Sequence, residues 1–156
     1  MQIDIEPASQ SVGPSGLRIE RLGMDRYAEV QVLNETVFGE RRVIFRLDRR
    51  DVMFLVAYLE DQEVGYKVGY GEDRKTYYSA KGAVLEGYRR QGIARALLHR
   101  MQEEARKMGY RRLAFDTFPN MHLGMTVLGL TEGYRVTTAG YNAAYQDYRL
   151  RFEKVL

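Results

Sequence analysis

The chain has 156 residues, no cysteine and two histidines, which excludes a disulfide framework, a thiol nucleophile and a thiolate or histidine-rich metal site. With 24 basic against 21 acidic side chains the formal charge is +3, and both signs are mixed along most of the chain. No apolar run reaches membrane-spanning length and no signal-peptide pattern opens the chain, so a soluble, cytoplasmic, single-domain protein without a metal is the expectation.

Residues 1–16, MQIDIEPASQSVGPSG, are rich in Ser, Pro and Gly and read as a flexible leader, with 17–156 as one domain. LRIERL, Leu17 to Leu22, alternates apolar and polar and predicts a first strand. Asp25 offers a cap to a helix carrying Tyr27, Val30, Leu33 and Val37 on one face and ending at Gly39. Arg41, Arg42, Arg46, Arg49 and Arg50 crowd the next stretch, which reads as a short second helix. Its charge suits open solvent, an anionic substrate or nucleic acid, but no helix-turn-helix, zinc-finger or RNA-recognition motif accompanies it. VMFLVAYL, Val52 to Leu59, predicts an apolar strand, and Val64, Tyr66, Val68 and Tyr70 alternate along its hairpin partner. After the GEDRKT turn, Tyr77 begins the next strand.

The stretch from Lys81 to Met108 is the most informative. Gly82, Ala83, Val84 and Leu85 suit a strand end buried on both faces; Gly87 and RRQGIA then turn the chain. Ile93, Leu97, Met101, Ala105 and Met108 recur at helical spacing, and Gly109 suits the left-handed cap that ends a helix. The first turn of such a helix has backbone N–H groups without partners and a partial positive charge, so it can hold a phosphate. Gly92 and Ala94 allow close approach, and Arg89, Arg90 and Arg95 surround the turn. The segment is neither a Walker A loop nor a dinucleotide fingerprint. Beyond it, Arg111 to Thr117 predicts a fifth strand ended by Pro119 and Asn120. Met121, Met125 and Leu128 suggest a short helix closed by Gly133, and Tyr134–Tyr141 with Tyr145–Leu156 a last hairpin.

VLEGYRRQGIARALL resembles the acetyl-CoA-binding segment of the GNAT superfamily of N-acetyltransferases. The family signature, Gln/Arg-x-x-Gly-x-Gly/Ala, is carried by Arg89, Gly92 and Ala94, and the resemblance extends over about Leu17 to Leu156. It implies an α/β fold (α+β in stricter schemes): a mixed, mostly antiparallel sheet of about seven strands flanked by about four helices, its fourth and fifth strands splayed. Backbone groups of Val84 and Leu85 would then meet the pantetheine arm. The N–H groups of Arg90, Gln91, Gly92, Ile93, Ala94 and Arg95 would hold the pyrophosphate, and Asn120 would bind the same acyl donor.

The implied reaction is direct attack of an amine, from a small molecule or peptide, on acetyl-CoA in a ternary complex. The absence of cysteine removes one route to a covalent acyl-enzyme. Candidate bases are Glu35, Glu86 and Asp116, with Asp116 and Glu35 favoured because Glu86 falls toward the pyrophosphate. One departure stands out. The tyrosine that protonates the leaving thiolate in many family members stands four residues before Gly-Phe, and here Gly133-Tyr134 puts Gly129 at that place. Tyr134 is expected to pack into the core, leaving water or a tyrosine of the last hairpin such as Tyr141 as proton donor. The missing tyrosine also permits an acyl-CoA-binding regulatory module without turnover. The expected partners are acetyl-CoA and an amine; a membrane is not expected, nucleic acid is disfavoured and a homodimer is left open.

Overall fold

The computed structural model describes residues 13–156, so the expected leader lies outside the described residues except for 13–16. The elements in order are β1 (Leu17–Leu22), a 3-10 turn (Met24–Arg26), α1 (Tyr27–Phe38), β2 (Arg50–Leu59), β3 (Gln62–Gly71) and β4 (Thr76–Val84). A second 3-10 turn (Glu86–Tyr88), α2 (Ile93–Lys107), β5 (Arg112–Thr117), α3 (Leu123–Thr131), β6 (Arg135–Asn142) and β7 (Asp147–Val155) follow. The strands join one seven-stranded sheet in the order β1-β2-β3-β4-β5-β7-β6. Every neighbouring pair is antiparallel except β4 with β5. This is the mixed, mostly antiparallel α/β architecture expected.

The sheet has two cores because successive side chains of a strand point to opposite faces. Met53 and Leu55 of β2 pack with Leu97 and Met101 of α2, while Phe54 and Val56 pack with Val30 and Leu33 of α1. Each such side chain, fully buried, contributes about 1.5–3 kcal/mol. Two left-handed glycines set helix ends: Gly39 (φ +75°) closes α1, its N–H bonding Glu35 O at 2.8 Å, and Gly109 (φ +94°) follows α2.

Three local expectations are corrected. Asp25 lies in the 3-10 turn; Arg26 takes the cap position of α1, with no side-chain cap bond. The arginine stretch forms no helix, leaving three α-helices among the described residues. On a helix Arg42, Arg46 and Arg49 would share a face and repel, and no apolar stripe offsets that. Instead, buried Asn34 fixes the stretch as a loop, its amide donating to Glu40 O (2.5 Å) and Arg42 O (3.3 Å) while its oxygen accepts from Tyr66 (2.6 Å). The end of β4 is not buried on both faces either: Gly82 is exposed and Ala83, Val84 and Leu85 are half-buried.

The reason lies in the sheet. β4 and β5 pair only at Thr76–Arg112, Tyr77–Leu113 and Tyr78–Ala114. Beyond that point β4 stays with β3 to Val84, while β5 stays with β7 to Thr117. The two strands part, and among the described residues the inner edge of β4 is left without a neighbouring strand.

Candidate active site

A cleft of about 1410 Å³ opens where β4 and β5 separate. Its walls are the second half of β4, the entrance of α2, the segment from Phe115 into α3, and the arginine loop after α1.

The entrance of α2 is shaped by two left-handed residues, Arg90 (φ +65°) and Gly92 (φ +85°). Glycine takes that conformation without cost, whereas a residue such as Arg90 loses on the order of 1–3 kcal/mol there, a form of strain that gathers at ligand sites. Among the described residues no side chain caps the helix, so its first N–H groups are available to an anion. The three arginines differ. Arg89 Nε donates to Val84 O (3.0 Å), and Arg95 pairs with Glu132 (2.7 Å), whereas Arg90 is exposed.

The backbone at the end of β4 divides in the same way. Leu85 N–H bonds Val64 O (2.8 Å) and its carbonyl accepts from Tyr88 N–H (2.9 Å), so Leu85 has no free backbone donor. Strand alternation turns the groups of Gly82 and Val84 toward the gap, and with Val84 O held by Arg89 the Val84 N–H stays available. Leu85 packs on the α1 core, and Gln91 is exposed outside the cleft lining.

Of the candidate bases, only Asp116 lines the cleft. Its side chain is 10% exposed, and its Oδ2 accepts from the Tyr78 hydroxyl (2.5 Å) and Arg149 Nη2 (2.7 Å). Burial, and then the bond to Asp116, pushes the Tyr78 hydroxyl pKa well above its ordinary value. Glu35 sits exposed on α1, 3.8 Å from Arg41, and Glu86 is exposed on the 3-10 turn. Asn120 donates to Asp147 (2.7 Å) at the last hairpin; His122, two residues on, lines the cleft instead.

Gly129 explains the absent tyrosine. A Cβ there would stand 2.8 Å from the Phe115 ring and 3.3 Å from that of Phe152, two rings stacked at 5.1 Å, so only glycine lets α3 lie this close. Tyr134 is buried, its hydroxyl accepting from Gln102 Nε2 at 2.6 Å, as its core role requires. Tyr141 is exposed on β6 and outside the cleft lining, which removes it as the expected donor.

One cleft residue went unread in the sequence. Lys67 of β3 is 6% exposed, lines the cleft, and has no carboxylate partner among the described residues. Burial alone pulls its pKa from 10.5 to about 8. The available signal was a charge inside the alternating run Val64–Tyr70, flanked by glycines.

The model of the Acetyltransferase (GNAT) family matches residues 20–125. No curated protein matches the chain by sequence. Among solved structures, an IAA acetyltransferase from Bacillus cereus is 21% identical with a TM-score of 0.75, over 90% of this chain and 99% of that one. A GNAT family acetyltransferase from Streptococcus pneumoniae is 16% identical with a TM-score of 0.73, over 90% and 99%. A GNAT family acetyltransferase from Elizabethkingia anophelis, solved with acetyl-CoA bound, is 16% identical with a TM-score of 0.69, over 92% and 100%. At such identities the structures speak for the fold, and the family match, over more than half the chain, speaks for descent: the chain belongs to the GNAT family of acetyltransferases.

Proposed function

We propose that residues 17–156 act as a single N-acetyltransferase domain, moving the acetyl group of acetyl-CoA to a primary amine of a small molecule or peptide. The observation that carries this reading is the uncapped α2 entrance opening directly onto the unpaired edge of β4. The N–H groups from Arg90 to Arg95 suit the pyrophosphate, and Arg90, exposed and without an ion pair among the described residues, adds a charge beside them. The pantetheine arm fits along Gly82–Val84 as a substitute strand, with Val84 N–H as donor; Leu85 contributes its place in the turn rather than a bond.

Asp116 is the residue best placed to take the ammonium proton of the incoming amine, directly or through water. Glu35 lies outside the cleft and is set aside. Backbone N–H groups on the β4 edge stabilise the charge that develops on the acetyl oxygen as the C–N bond forms. The arginine loop, with Arg42 and Arg46 on the cleft wall, is the surface an acceptor meets.

The test is release of CoA thiol across a panel of amines, run beside calorimetric binding of CoA. Thiol release with at least one amine, absent without it, supports direct transfer. The glycine at 129 favours a second reading, an acyl-CoA-binding module without turnover. Tight CoA binding with no thiol released by any amine would select it.

A further inference from the structure

The acetyl-transfer reading does not say where the departing sulfur gets its proton. We propose that Lys67 is the general acid, its ammonium protonating the CoA thiolate from the α2 face of the sheet. This rests on the reading above and extends it.

The geometry is set by the strand register. Lys67 stands opposite Leu55 on β2 and Gly82 on β4, and residues directly opposite in antiparallel strands share a face. Leu55 packs on α2, so Lys67 points to the α2 face. Asp116 follows Phe115, which belongs to the α2-side core, so Asp116 points to the other face. The two groups therefore flank the gap between β4 and β5 from opposite sides. A proton acceptor lies where an amine attacks, and a proton donor where the sulfur leaves.

Gly82 makes room for the lysine. A Cβ there would lie 3.4 Å from Lys67 Cγ and 3.0 Å from Tyr66 O; without one, the lysine stem has room against β4, and Lys67 lines the cleft. The side chain is more than nine-tenths buried yet reaches the cleft, and no carboxylate holds it among the described residues. The acidic side chains lining the cleft, Glu40 and Asp116, are engaged by Lys81 and by Tyr78 and Arg149. The other charges lining it are cationic: Arg89, Arg90 and Arg95 at the α2 entrance, Arg42, Arg46 and Arg49 on the loop. Desolvation brings the ammonium to about 8, slightly below even a cysteine thiol at about 8.5, so passing a proton to the departing alkyl thiolate is not uphill.

The step balances. The amine, already neutral after passing its ammonium proton through Asp116 to water, forms its bond to the acetyl carbon and gives up its excess N–H proton to Asp116 or water. The C–S bond breaks with its electron pair on sulfur, and an Nζ proton of Lys67 moves to that sulfur. The products are the amide, CoA thiol, the proton released from nitrogen and neutral Lys67, which is reprotonated from solvent.

Lys67→Met is predicted to lower turnover in the thiol-release assay by about a hundredfold or more, with the KM for acetyl-CoA within a few-fold of the parent. Lys67→Arg keeps the charge but not a transferable proton, and should not restore turnover. A readout without turnover is the affinity for CoA against its desulfurised analogue between pH 7 and 9. The parent's preference for CoA should rise from pH 7 to a maximum above pH 8, where thiolate and ammonium coexist, and fall again as Lys67 itself loses its proton; Lys67→Met should show no such maximum. Lys67→Gln serves the same comparison if the methionine variant fails to fold. Full rescue by Lys67→Arg, or a loss confined to acceptor KM, would make Lys67 an anion-binding group and overturn the proposal. So would equal loss in His122→Asn or Tyr88→Phe with Lys67→Met unaffected. A parent that binds no CoA or releases no thiol with any amine would instead defeat the underlying reading.

Discussion

At the scale of single residues, Lys67 carries a cost that can be measured without any substrate. Its pKa of about 8 in the fold lies below the 10.5 of an ordinary lysine, so between those values the unfolded chain holds the proton more tightly. Stability therefore rises with pH across that window; the cost is full below pH 8 and gone above 10.5. Lys67→Met should be the more stable protein at pH 7, by up to about 3 kcal/mol, with the advantage shrinking toward pH 10. Urea midpoints at pH 7, 8.5 and 10 measure this, and identical midpoints at pH 7 would show that the charge costs nothing. Gly92 offers a paired comparison. At φ +85° any other residue is strained, and a Cβ would lie 3.3 Å from Gly13 Cα, so Gly92→Ala should cost about 1–2 kcal/mol of stability. Gly92→Glu adds a negative charge at the helix entrance and should abolish CoA affinity, whereas Gly92→Ala should weaken it only modestly. Calorimetry separates the two, and a folded Gly92→Glu protein with parental affinity would remove the anion site from the α2 entrance.

At the scale of elements, the loop between α1 and β2 is the part built from charge rather than from apolar surface. Val43 and the Asn34 bonds anchor it, while Arg42 lies 4.4 Å over the Phe45 ring and Arg46 is held by Asp48 at 3.0 Å. Its contacts are mostly exposed, so its charges are cheap to remove, on the order of 0–1 kcal/mol each. Replacing Arg41, Arg42 and Arg46 together by glutamine should change the acceptor KM several-fold and leave CoA affinity nearly intact. Arg41 pairs with Glu35 outside the cleft, so most of that change should come from Arg42 and Arg46. The same KM in the triple variant would separate the loop from acceptor recognition.

For the whole molecule, the sheet consists of a β1–β4 part and a β5–β7–β6 part that share only three residue pairs. The Arg95–Glu132 ion pair and the His99–Glu132 hydrogen bond, from α2 to the residue after α3, add a second tie between the parts. A ligand lying between β4 and β5 joins both, and one that binds only the folded chain stabilises it by about 2.7 kcal/mol at a hundredfold excess over Kd. For a chain of this size that corresponds to a rise in Tm of roughly 5–10 °C, read by thermal melting with CoA. A comparable, salt-sensitive shift with DNA or RNA, lost in the arginine triple variant, would point to nucleic acid at the loop.

Local chemistry was legible in the chain. β1 from Leu17 to Leu22, the α2 stripe, the left-handed glycines 39, 109 and 133, and the turn that opens α2 all depend on neighbours within a few residues. Periodicity and cap chemistry report such relations directly, and the family signature lies wholly inside one of these segments. Contacts between distant residues were not legible. Asn34 turned an expected helix into a loop by reaching Glu40, Arg42 and Tyr66. Asp147 drew Asn120 away from the cleft across 27 positions, and Arg149 and Tyr78 met Asp116 across 33 and 38. Lys67 looked like any lysine in an alternating strand. Only the register that sets it between Leu55 and Gly82, beneath α2 and beside the parted edge of β4, took it out of water and shifted its proton affinity toward that of a thiol. Desolvation depends on what packs around a group, and those atoms come from strands brought together only by the tertiary fold.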